Sequence, residues 1–416
     1  MARIVHVCPM YFPARGGVEQ FFLRLSEHLA RQGHDVTVWT TDARIVRGFT
    51  SPAEPRLLKA DEHLNGVRVR RFPVRHVPAQ RFLRTAAHLL PFGLRWKCDT
   101  LRWTPWVPSM TREAGRPDRP ADLVHAAGLP YSSLLFAGVR LAERSAAPLI
   151  ISPFTHVPPP GGRMNRAYLS PLNIGLMSRA DRLFVQTEFE SRALSSAGRV
   201  DTPKTVIGLG VDPVECVGGN RQRFREAHKL KGDMVVVGHL GNKSQDKGTV
   251  DLLDASERLW SRNVPFMLVL AGSEMPAFSR RMAQAGFPER IVNLGQLSDE
   301  ERKDFFAAID VFALPSYVES FGLSPLEAAL NGVPVVAYAH GGPGAIFTND
   351  VNALLTPPGD LGRLAEALER LILQQPERRR LGEQGAAVAA TYSWSRALER
   401  ATEEYDELLR PSRRSA

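Results

Sequence analysis

Glu319 and Glu327 stand eight residues apart around the string Ser320-Phe321-Gly322-Leu323-Ser324-Pro325. An apolar run at 311–314 predicts a strand. Pro325 predicts a helix start, because the first helical position tolerates proline. Glu319 then lies in the strand-to-helix loop and Glu327 in the first helical turn, so both carboxylates can turn into one cleft. The backbone N–H groups of Ser320, Phe321, Gly322 and Leu323 fall near that helix N-terminus, a ready anion site. Carboxylates beside an anion site suit a ligand with both hydroxyls and phosphates, and a nucleotide sugar carries both. Lys247, followed by Gly248, precedes a helix predicted over 249–260. An exposed first-turn lysine is one reading, disfavoured because a lysine there opposes the helix dipole; a point charge acting with the helix terminus on one anion is the other. Two other readings stand beside this one. Glu319 as a solvated loop residue with Glu327 as a helix-dipole partner is one, and a glycosidase acid–base pair is the other.

Further candidates lie at strand ends. Gly16-Gly17 separates a predicted strand at 4–7 from a helix with apolar residues at Val18, Phe21, Phe22, Leu25 and Leu29. Glycine there lets the backbone approach a ligand closely. The loop is not Gly-x-Gly-x-x-Gly, so a nicotinamide site is not expected. His125 closes the run Asp122-Leu123-Val124-His125 and is read either as a site residue, with a catalytic role, or as a core histidine. His156 follows another strand. No Asp-x-Asp triplet occurs, and no metal is expected. Three scattered cysteines exclude a disulfide framework and suit a reducing cytoplasm.

The elements that must carry these residues alternate strand and helix through both halves of the chain. This pattern implies parallel sheets in doubly wound domains, with ligands at the carboxyl ends of the strands. We expect an α/β protein with a first domain over 1–205 and a second over 206–394, facing each other across a cleft. A helix at 395–416 is expected to pack back on the first domain. Of 416 residues, 53 are basic and 44 acidic, net +9. Residues 1–200 hold 28 basic and 15 acidic side chains, or +13, and the remainder holds 25 and 29, or −4. Such a split fits two domains with different partners. A nucleic-acid module is disfavoured, since no binding motif accompanies the charge. A segment at 74–106 interleaves arginines with aromatic residues and is a candidate for peripheral membrane contact.

Taken together, these residues resemble the retaining glycosyltransferases of family 4, with the two-domain GT-B fold. The resemblance covers nearly the whole chain. It rests on Glu319-x7-Glu327, Gly16-Gly17-Val18-Glu19, Gly210-Val211-Asp212, Asp246-Lys247-Gly248, Ala271-Gly272-Ser273, Gly295-Gln296-Leu297 and Gly341-Gly342. It implies transfer of a hexose-type sugar from a nucleoside diphosphate sugar to a hydroxyl acceptor, with no metal and no resident cofactor. By resemblance, Glu319 contacts the donor sugar, Glu327 the ribose and Lys247 the phosphates. Gly16, Gly17, Gly272, Leu297 and the stretch Ser320, Phe321, Gly322, Leu323 line the donor site. Two departures matter. The family's Gly-Arg is Gly238-His239 here, so His239 or Lys243 is expected to take the arginine's place at the phosphates. The family's His-x-His is His125-Ala126-Ala127. An epimerase or hydrolase on the same fold is the alternative activity.

Overall fold

The computed structural model describes residues 1–76, 105–157, 168–196 and 200–410. Most of the 74–106 segment proposed for membrane contact lies outside the described residues, as do residues 411–416 of the C-terminal segment. The described chain forms two α/β units. Of the described residues, the first takes those within 1–155, 163–207 and 397–416, and the second those within 156–162 and 208–396.

The first sheet is built from β1 (Arg3–Val7), β2 (Asp35–Thr41), β3 (Asp61–Leu64), β4 (Val67–Phe72), β5 (Leu123–Ala127), β6 (Leu149–Ser152), β7 (Arg182–Val185) and β8 (Lys204–Val206). Its order is β3-β4-β2-β1-β5-β6-β7-β8. Only the β3–β4 pair in it is antiparallel. The central strands read as apolar runs because helices cover both faces of a parallel sheet. β1 and β5 are buried almost throughout. β3 has the sequence Asp-Glu-His-Leu and carries no such run, which is why the sequence pattern passes over it.

The second sheet contains β9 (Val235–Leu240), β10 (Phe266–Ala271), β11 (Ile291–Asn293), β12 (Val311–Leu314), β13 (Val335–Tyr338) and β14 (Leu354–Thr356). Its order is β11-β10-β9-β12-β13-β14, parallel throughout. Successive strands add outward from β9 through β11, and the chain then returns to β9's other side with β12. The order therefore reverses between β9 and β12, the position where open α/β sheets bind ligands. In the first unit the same reversal falls between β1 and β5. Among the described residues no helix is long and apolar enough to cross a membrane.

Candidate active site

The loop leaving β9 carries Lys247 and the loop leaving β12 carries Glu319. Their side chains meet: Lys247 Nζ donates to Glu319 Oε2 at 2.7 Å and to the Val318 carbonyl at 3.2 Å. The pair is 20% and 16% exposed, so it faces the edge of the unit without being buried. Burial pushes the Glu319 carboxyl up. The Lys247 ammonium outweighs this, with help from His156 and the Phe321 amide, and holds the group below the usual carboxylate range. Glu319 is thus ionised at neutral pH. His156 is close enough to feel both charges. Burial and then Lys247 push its imidazole down to about 4, with Glu319 opposing. The structure therefore gathers His156, Lys247 and Glu319, three residues from distant parts of the sequence.

Backbone geometry fixes this meeting. Gly248 caps the helix Thr249–Ser261 with φ +66°, and a Cβ there would lie 1.6 Å from the Pro315 carbonyl. Only glycine lets the two loops touch. Tyr317 N–H and Ser316 Oγ then donate to the Asp246 carbonyl at 2.9 and 3.2 Å. In the first turn of the helix, Asp251 Oδ2 accepts hydroxyls from Tyr317 and Tyr338, each at 2.6 Å. Burial, followed by this carboxylate, raises both phenols, Tyr317 to about 12. Behind Glu319, Gly341 and Gly342 press on the carbonyls of Glu319 and Phe321, where any Cβ would come within 2.2 and 1.8 Å. Nothing in the sequence marks Asp251, Tyr317 or Tyr338, since an acid in a first helical turn and aromatics beside strands are ordinary.

The next helix begins at Leu323, not at Pro325 as expected. Gly322, with φ +100°, is its N-cap. Pro325 still fits, because the first four helical N–H groups have no partner within the helix. Glu327 consequently lies two residues deeper in the helix than expected, in its second turn. It is buried, at 6% exposure. Its Oε1 accepts from Arg302 of the helix Asp299–Ala308, while Oε2 is buried with no hydrogen-bond partner. Ser320 and Leu323 are half-buried and Phe321 is buried, all three in the same loop and helix start.

Two expected phosphate ligands are engaged within the unit instead. His239 is fully buried within β9. Its Nδ1 pairs with the Ala313 carbonyl at 3.0 Å, so that nitrogen carries the proton, and Nε2 accepts from Thr249 Oγ1 at 3.2 Å. Burial holds the ring neutral, with its pKa down at about 4. Lys243 is 1% exposed. Its ammonium donates to Asn293 Oδ1, to the Leu294 carbonyl at 2.7 Å and to Glu274 at 3.3 Å, tying together the loops after β9, β10 and β11. Neither side chain has a free donor for a phosphate. Gly238 also serves packing: a Cβ would meet Ile309 and Phe305 at 2.6 and 2.8 Å. Gly272 lets the β10 end approach the Gly241 carbonyl, and Leu297 is half-buried in the loop after β11.

In the first unit, Gly16 caps the helix that opens at Gly17, and a Cβ on Gly16 would lie 2.3 Å from Glu19 Oε2. Burial raises that carboxyl to about 7. His125, read as a catalytic candidate, belongs to the core. It is fully buried in mid-strand, with Nδ1 2.6 Å from Tyr405 Oη and Nε2 2.8 Å from Ser152 Oγ. His6 completes the chain, 3.0 Å from Tyr405 and 2.8 Å from Ser26. Tyr405 comes from the helix Trp394–Leu409, and the sequence could not link it to His125, 280 residues away. Among the described residues no group of three His, Cys, Asp or Glu gathers as a metal site.

Comparisons with known proteins agree with this architecture. The family model described as "Glycosyl transferase 4-like domain" matches residues 16–210, and "Glycosyl transferases group 1" matches 220–388. A D-inositol 3-phosphate glycosyltransferase of Mycobacterium sp. (strain KMS) is 30% identical over 405 residues, covering 94% of this chain and 85% of that protein. Among solved structures, sucrose-phosphate synthase from Thermosynechococcus elongatus superposes with a TM-score of 0.74 at 21% identity, covering 98% and 99% of the two chains. Anabaena HepE, solved with UDP and glucose, gives 0.73 at 18%, covering 97% and 100%. With its two parallel-sheet units and the two matched regions, the chain belongs to the group 1, family 4-like glycosyltransferases of GT-B fold.

Proposed function

We propose that this glycosyltransferase is a retaining hexosyltransferase that takes its sugar from a nucleoside diphosphate donor. The observation that carries the reading is the Lys247–Glu319 pair at the β9/β12 reversal, with Glu327 eight residues on and one of its buried oxygens without a hydrogen-bond partner. Glu319, ionised, accepts hydrogen bonds from sugar hydroxyls. Lys247 and the N-terminus of the helix Thr249–Ser261 meet the charge that builds on the departing diphosphate. The bond from the sugar's anomeric carbon to the phosphate oxygen breaks as the acceptor oxygen adds to the same face. The acceptor's proton passes to the departing phosphate. No metal is needed when a lysine and helix amides meet that charge, and we propose metal-independent transfer.

The acceptor is a hydroxyl of a phosphorylated polyol or sugar. Supporting this are the relative named for D-inositol 3-phosphate and the +13 charge of residues 1–200, which favours an anionic partner. We place the enzyme in the cytoplasm, where its buried free thiols Cys8 and Cys216 stay reduced. A thermal-shift screen with uridine, guanosine and adenosine diphosphate sugars tests the donor, since ligands of the native state raise its melting point. Transfer to inositol phosphates and hexose phosphates in the presence of a chelator follows, with the product anomer read by NMR. An inverted anomer, or loss of transfer in chelator, would sink the corresponding part of the reading.

A further inference from the structure

We propose that Arg302 is a positioning residue for donor recognition: it anchors one oxygen of Glu327 and thereby aims the other at a ribose hydroxyl. The proposal rests on the reading of Glu327 as the ribose ligand. Arg302 projects from the helix Asp299–Ala308, Glu327 from the helix Leu323–Leu330, and the guanidinium binds Oε1. A carboxylate turns about its last bond and its two oxygens are equivalent, so holding one orients the other. Arginine suits the task because it stays charged at every working pH and keeps a fixed fork of donors. Asn331 Nδ2 adds a brace, donating to the Glu327 carbonyl at 2.8 Å and to the Cys216 carbonyl at 2.9 Å. The held carboxylate is nine-tenths buried, yet Oε2 has no partner. A buried oxygen left without a donor is destabilising, so this arrangement suits a ligand that brings a hydroxyl.

The test compares binding of uridine, guanosine and adenosine diphosphates with that of their 2′,3′-dideoxy analogues, by calorimetry on the full chain. Wild type should prefer the ribose form by about 10-fold, since a site built around a hydroxyl rejects the analogue lacking it. Arg302→Leu should shrink that preference to within about 2-fold while leaving the dideoxy affinity in place, because the phosphates are held elsewhere. Arg302→Lys should restore part of the preference, a rescue that lost packing alone would not show. Arg302→Gln keeps the test open if the leucine variant fails to fold. An undiminished preference in Arg302→Leu overturns the proposal. So does tighter ribose binding, which would make Arg302 a competitor for Glu327. The underlying reading fails separately: then Glu327→Ala leaves the preference intact, or no nucleotide binds, and the Arg302 proposal falls with it.

Discussion

Each α/β unit holds a polar cluster, and the two are built on opposite terms. In the first, Ser26, His6, Tyr405, His125 and Ser152 form one chain in which each neutral imidazole donates once and accepts once. Every link is closed and buried, and the hydroxyl of Tyr405 joins the two rings. In the second, Lys247 and Glu319 are charged and partly exposed at a sheet reversal, and Glu327 is left with an open oxygen. A closed neutral network stabilises and gives a ligand nothing to bind. A charged, half-open one costs stability alone and gains from a ligand. Histidines in one cluster and a lysine–glutamate pair in the other look equally chemical in the sequence. Only closure separates them.

The largest effect should come from the open cluster. Lys247→Ala and Glu319→Ala should each lower transfer by about 10²–10³-fold, the scale of losing one preorganised electrostatic contact at the reacting centre. Melting temperatures should stay near wild type. Initial-rate assays on the folded variants decide this, and full activity in either would remove the pair from the mechanism.

The closed cluster should respond in the other direction. Tyr405→Phe leaves one ring nitrogen each of His6 and His125 without its partner and should cost about 2–3 kcal/mol of stability, at the upper end for buried groups left unsatisfied. His125→Ala adds a cavity and should cost at least as much. Below their melting points both variants should keep kcat/KM within about 2-fold of wild type, as expected of sites that share no partner with the reacting groups. A large loss of turnover in folded His125→Ala would return that residue to the active site.

A smaller effect tests what holds the open cluster in place. Tyr317→Phe removes one of the two hydroxyls on Asp251 and loosens the loop that presents Glu319. Because it touches no substrate, it should lower kcat about 3–10-fold, as small misplacements do, with donor KM nearly constant. Equal changes in kcat and KM would point to a binding role instead.

These outcomes also mark where the sequence was informative. Lys247 and Glu319 stand out in the sequence because each follows an apolar strand on a short loop, and Glu327 because it stands eight residues further on in the predicted helix. Most strands were legible because buried parallel strands are uninterrupted apolar runs, and β3, the antiparallel edge strand, was not. Helix Leu323–Leu330 was misplaced by two residues because Gly322, not proline, ends the loop. Closure was not legible at all. Tyr405 meets His125 across 280 residues and Arg302 meets Glu327 across 25, and neither link leaves a local pattern. His239 and Lys243 follow the same logic: their types suit a phosphate, but partners such as Ala313 and Asn293 lie 74 and 50 residues away.

His239 offers the finest test of the distinction, through pH. Its folded pKa, about 4, lies below the unfolded reference of about 6.5, so between these values the unfolded chain binds the extra proton. Its contribution is therefore complete above pH 6.5 and is lost as the pH falls toward 4. Near pH 5.5 the loss should be about 1.4 kcal/mol, one pH unit's worth. His125, also held well below its ordinary value by burial, loses stability on acidification with the same sign. His239→Asn should remove one proton's slope from the stability profile between pH 6.5 and 4.5, read from melting at a series of pH values. The alternative is equally informative. If the slope is unchanged, His239 already carries its proton in the folded chain at mild acidity. A cationic imidazole beside Lys247 would then regain the phosphate role that its buried hydrogen bonds now deny it.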